Sequence, residues 1–170
     1  MTSVGGSSTS PPAGADEIER KFLLDELPSA VADVDPTWID QGYLSVTDDV
    51  EVRIRARAGD HLLTVKHGRG EVRTEVTIEL TAAQFDDLWP STDGQRIRKQ
   101  RWVIPHDTNA ELEVEVDQFH DALNGLLIAE VEFASPHASA AFEPPAWFGR
   151  EVTDDDRYRN AALADGPPDD

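Results

Sequence analysis

The sequence predicts an α+β fold: eight antiparallel strands closed into a β-barrel with a polar, charged interior, and a few helices flanking its outside. Three observations carry that reading. Apolar and charged residues alternate with period two over most of the chain, the pattern of strands with two unlike faces. The alternating runs are joined by tight connections such as HGRG at 67–70. Helical signals are few and short.

In 16–24, Glu17, Glu19 and Lys21 share one face, Ile18 and Phe22 the other. A second strand, QGYLSV at 41–46, pairs with the run from Val50, where Val52, Ile54 and Ala56 alternate with Arg53, Arg55 and Arg57. Leu63 and Val65 alternate with Thr64 and Lys66, and Val72, Val76 and Ile78 with Arg73, Glu75, Thr77 and Glu79. Trp102 and Ile104 oppose Lys99 and Arg101, and Leu112, Val114 and Val116 oppose Glu113, Glu115 and Asp117. Val131 and Phe133 oppose Glu130 and Glu132. Helices are expected at 25–34, at 81–88 behind a Thr cap, at 135–142, and at 153–163, where Thr and three Asp suit a helix N-terminus. A single domain is expected over 16–164, with disordered tails at 1–15, rich in Gly, Ser, Thr and Pro, and at 165–170.

An ordinary half-exposed sheet also turns charges to water. Here, however, the charges are segregated strand by strand, three arginines on one and carboxylates on another. Like charges at i and i+2 repel, so each cluster destabilises a sheet that has no ligand. The clusters are complementary in sign between strands, and closing the sheet with this face inward makes a tunnel with basic and acidic walls. A barrel of about eight strands has room inside for side chains or one small ligand. A lipocalin-like barrel would instead line its cavity with apolar residues.

EIERK at 17–21 is followed in order by VRIR at 52–55, TVK at 64–66, RTEVTIE at 73–79, KQR at 99–101, ELEVEVD at 111–117 and AEVEF at 129–133. With QGYLS at 41–45 and WFGREVTDDDRYRN at 147–160, this series resembles the CYTH-domain proteins, or triphosphate tunnel metalloenzymes, of the short bacterial type, over about Asp16 to Leu163. The resemblance implies a metal-dependent enzyme that binds a triphosphate inside an eight-stranded tunnel. It implies catalytic roles for Glu17, Glu19 and Lys21, and substrate binding by Arg53, Arg55, Lys66, Arg73, Lys99 and Arg101. It implies metal ligation among Glu17, Glu19, Glu75, Glu113, Glu115, Glu130 and Glu132. The physical chemistry agrees. Arg forks match phosphate oxygens bidentately, and Mg²⁺ or Mn²⁺, as one or two ions, takes carboxylate oxygens without needing histidine.

Of the activities in such a family, hydrolysis of inorganic tripolyphosphate to diphosphate and phosphate is favoured. Class IV-type adenylate cyclisation, or hydrolysis of thiamine or nucleoside triphosphates, calls for an aromatic or apolar platform that the tunnel-facing positions do not supply. A non-enzymatic polyphosphate or triphosphate sensor is the other alternative, and the acidic positions count against it. Other residues read as structural. His61, His67, His106, His120 and His137 lack metal-ligand spacing, and Gly68 and Gly70 suit a hairpin turn. Asp154–Asp156 suit a helix start, and the four tryptophans suit packing.

Composition bounds the partners. The 170 residues hold 15 Lys+Arg against 34 Asp+Glu, formally −19, which argues against nucleic acid and anionic membranes. Residues 53–101 nevertheless hold ten of the basic residues against seven acids, a local +3 against −22 elsewhere. The total therefore does not exclude a small polyanion held with its metal. No cysteine is present, which excludes disulfides and thiolate chemistry and fits a cytoplasmic protein, and a monomer or homodimer is expected. No apolar stretch approaches the roughly 20 residues of a membrane span, and residues 1–15 lack the features of a signal peptide.

Overall fold

A computed structural model describes residues 18–67, 74–106 and 109–168, with 109–111 described by their backbone alone. Eight strands form one antiparallel sheet: β1 (Ile18–Leu23), β2 (Thr37–Val46), β3 (Val50–Arg57), β4 (Asp60–His67), β5 (Thr74–Glu79), β6 (Arg96–His106), β7 (Asn109–Phe119) and β8 (Leu127–Phe133). Their order is β1-β8-β7-β6-β2-β3-β4-β5. Every strand expected from the alternation is present, and β2 starts earlier, at Thr37.

The expected closure of the sheet into a barrel is not made by strand pairing among the described residues: no ladder joins the terminal strands β1 and β5. Part of β1's free edge is taken by residues 149–152. Leu23 N–H donates to Arg150 O at 2.9 Å, Gly149 N–H to Leu23 O at 2.8 Å, and Val152 N–H to Lys21 O at 2.8 Å. These bonds satisfy strand-edge groups that would otherwise stay unpaired.

The helix expected at 81–88 is present behind its Thr cap, and the other helices are shorter than expected. Thr81 caps α1 (Ala82–Leu88) in a capping box with Gln84, and Ser135 caps α2 (Pro136–Ala140). The 25–34 region makes only a 3₁₀ turn at Ser29–Val31, because Pro28 stands extended before it (φ −65°, ψ 145°). The 153–163 region is broken in two. Asp155 caps a 3₁₀ turn at Asp156–Tyr158, and extended Arg159 separates it from α3 (Asn160–Leu163). No helix among the described residues is long and apolar enough to cross a membrane.

The two faces of the sheet bury different things. Trp102, Ile104, Val114, Val116, Ala129, Val131 and Phe133 form an outer core, covered by Leu27, Val34, Phe142, Trp147 and Phe148. On the inner face at one end, Tyr43, Ile97, Phe119 and Ile128 pack with Val152, Tyr158 and Leu163. A register shift between Tyr43 and Ser45 in β2 marks this end. Beside it, Gly42 lies so close to α1's downstream turn that a Cβ would sit 2.5 Å from Thr92 Oγ1.

Candidate active site

Strand register puts the charges on one face. Glu19 faces Glu132 and Lys21 faces Glu130 across β1 and β8, and Glu130 faces Glu115 on β7. Asp117 faces Arg101, and Lys99 lies two residues away on the same side of β6. Gln41 and Tyr43 of β2 face Arg55 and Arg53, Thr64 of β4 faces Arg53, and Lys66 faces Glu75 of β5. The period-two pleat therefore brings Glu19, Lys21, Arg53, Arg55, Lys66, Glu75, Lys99, Arg101, Glu113, Glu115, Glu130 and Glu132 to one trough. Glu17 and Arg73 lie outside the described residues.

The trough has two unlike walls. On β1, β8, β7 and β6 the cations are already paired. Lys21 Nζ is 3.0 Å from both Glu19 Oε1 and Glu130 Oε1. Arg101 Nη2 donates to Glu130 Oε2 at 2.7 Å, and its Nη1 donates to Glu115. Asp117, fully buried at 0% exposure, takes Arg101 through both oxygens (2.6 and 2.5 Å) and Lys99 Nζ at 2.6 Å. Asp117 was not among the residues the sequence singled out as functional, although it continues the Glu113, Glu115 alternation.

The protonation states follow from these contacts. Burial works against charge on Lys21, but Glu130 and Glu19 outweigh it and raise its pKa. Burial likewise opposes ionised Glu130, yet Lys21, Arg101 and Lys99 hold it well below the usual carboxylate range. Lys99 is lowered, by burial and then by the neighbouring Arg101 charge, against the pull of Asp117.

The β3 wall is different. Among the described residues no carboxylate lies within ion-pair distance of Arg53, Arg55 or Arg57, and the buried Arg53 Nε has no hydrogen-bond partner. Burial and the charges of Arg53, Arg101 and Arg57 push Arg55 down to about 10. Clustered guanidiniums with spare donors have the chemistry that the oxygens of a polyanion call for. The trough ends in the apolar floor of Tyr43, Ile97, Phe119 and Ile128. Arg157 and Arg159, on the turns beyond, pair with Asp155 at 2.8 Å and Asp156 at 2.9 Å.

Among the described residues no three carboxylates or histidines converge to hold a metal ion by themselves. Mg²⁺ usually binds through one or two carboxylates plus substrate phosphates and keeps several waters. Glu19 and Glu132 stand directly opposite each other and could offer two oxygen donors of this kind.

This combination defines an antiparallel-sheet protein with a charged trough whose chemistry suits a small polyanion. No protein-family model matches the chain. It is 42% identical over 151 residues to an inorganic triphosphatase of Nitrosomonas europaea, spanning 87% of this chain and 96% of that protein. It is 34% identical over 155 residues to an inorganic triphosphatase of Acetivibrio thermocellus, spanning 89% and 94%. A crystal structure of an inorganic triphosphatase superposes with a TM-score of 0.73 at 38% identity, covering 91% of this chain and 98% of that one. The chain belongs to the family of these inorganic triphosphatases.

Proposed function

We propose that this protein is a CYTH-type, metal-dependent triphosphatase that hydrolyses inorganic tripolyphosphate to diphosphate and phosphate. The observation that carries the reading is the asymmetry of the trough: among the described residues Arg53, Arg55 and Arg57 have no carboxylate within ion-pair distance, whereas Lys21, Lys99 and Arg101 are paired to carboxylates. The arginines, with Lys66 and Arg73, bind the non-bridging oxygens of the phosphate chain and fix its place. Lys99 and Arg101, held by Asp117, present a second pair of cations. Lys21, kept charged by Glu130 and Glu19, orients the phosphoryl group that water attacks. Glu17, Glu19, Glu130 and Glu132, with Glu75, Glu113 and Glu115 along the same face, are the ligand set for Mg²⁺ or Mn²⁺. A bound divalent ion would neutralise charge on the phosphates and lower the pKa of its water.

The inorganic substrate is favoured over organic triphosphates because the aromatic residues on the described trough face, Tyr43 and Phe119, are buried in its floor at 3% and 1% exposure. Neither offers a free platform for a base or a thiamine ring. The test is a product assay with Mg²⁺ or Mn²⁺ over tripolyphosphate, ATP and thiamine triphosphate. Phosphate released chiefly from tripolyphosphate supports the reading. Cyclic AMP from ATP, or tight binding without turnover, overturns it.

A further inference from the structure

We propose that Thr153 is a positioning residue for Lys21, acting through the strap of residues 149–153 that pins the free edge of β1. The proposal rests on the triphosphatase reading of the trough. Lys21 projects its side chain into the trough from an edge strand, so its N–H and C=O point away from β8. Both are taken by the strap. Lys21 N–H donates to Thr153 Oγ1 at 3.1 Å, and Lys21 O accepts from Val152 N–H at 2.8 Å.

The strap is itself braced. Thr153 Oγ1 donates to Glu151 Oε1 at 2.7 Å, and the Glu151 carboxylate takes Arg20 Nε and Nη2 at 2.7 Å each. Arg20 precedes Lys21, so the chain of contacts returns to the residue beside the one it fixes. Arg20 Nη1 adds bonds to Ser139 O and Phe142 O at 3.2 Å. The approach is close throughout: a Cβ on Gly149 would lie 2.6 Å from Leu23 O. An edge strand without such a partner frays, and misplacing a catalytic group by about 1 Å costs as much as 100-fold in rate.

Thr153 holds Lys21 through its side chain, so its bond can be deleted while the strap's backbone bonds remain. In Thr153→Val, kcat for tripolyphosphate with Mg²⁺ falls roughly tenfold, while KM moves less than about threefold, as expected for a misplaced group at the reacting end. Thr153→Ser retains the hydroxyl and stays near wild type. Amide exchange at Lys21 speeds up in the Val variant and not in the Ser variant. Unchanged kcat in Thr153→Val, equal loss in both variants, or unchanged Lys21 exchange overturns the proposal. Absence of wild-type turnover sinks the triphosphatase reading instead, and the Lys21 exchange then decides whether the strap holds Lys21.

Discussion

Asp117→Asn isolates the most deeply buried ion cluster. The side chain is nearly isosteric, but its loss of charge leaves Lys99 (2% exposed) and Arg101 (8%) facing a neutral amide whose NH₂ is a donor. Removing one partner of a buried ion pair typically costs about 3–5 kcal/mol, because the uncompensated charge stays in the interior. At roughly 2–4 °C per kcal/mol for a chain of this size, the midpoint falls by about 6–20 °C. Denaturant unfolding with a Lys99→Met cycle gives the decisive number. Deleting the stranded cation recovers part of the loss, so the double variant is less destabilised than the sum by about 1–3 kcal/mol. Stability of Asp117→Asn within about 0.5 kcal/mol of wild type, or an additive cycle, would refute the view that Asp117 neutralises this pair.

Three further outcomes follow from other parts of the trough. Glu130 is held below the usual carboxylate range, so its contribution is present above about pH 4.3, the unfolded value, and is lost as pH falls towards the lower folded one. Denaturation curves at pH 3–7 should show Glu130→Gln with a shallower acid decline than wild type, and parallel declines would remove Glu130 from that role. Arg55 is pushed down to about 10, so at neutral pH its charge opposes folding of the unliganded protein. Arg55→Met should therefore keep or raise the unliganded midpoint while weakening the rise that tripolyphosphate induces, and an unaltered ligand-induced rise counts against a phosphate-binding role. Gly42→Ala drives a methyl against Thr92, itself fixed to Trp89 O at 2.8 Å and to Arg96 Nε at 2.9 Å. Overpacking of this kind costs about 1–3 kcal/mol, and an unfolding curve matching wild type would show that β2 yields there.

The sheet and the charged face were legible because both depend on local alternation. A pleat sends residues i and i+2 to the same side whatever the tertiary context, so Arg53 and Arg55, or Glu130 and Glu132, had to share a wall. Asp117 was legible in the same pattern but not its importance, since full burial between Lys99 and Arg101 depends on β6 lying beside β7. The strap at 149–153 carries no alternation to read. Its conformation comes from Leu23 and Lys21, more than 120 residues earlier in the chain. The two misjudged helices have local causes: extended Pro28 in one, and in the other an Asp155 side chain that caps a single turn and leaves Arg159 extended.

The inward-facing arginines of β3 sit inside a chain whose formal charge is −19. Seen from a distance, such a molecule repels a phosphate chain, and attraction begins only near the mouth. Screening reaches about 8 Å at physiological ionic strength, so dissolved salt weakens the long-range repulsion more than the enclosed grip. Capture by this protein is thus short-sighted. Moderate salt speeds the encounter while barely altering how long the polyanion stays, the reverse of the salt response of a basic, electrostatically steered binder.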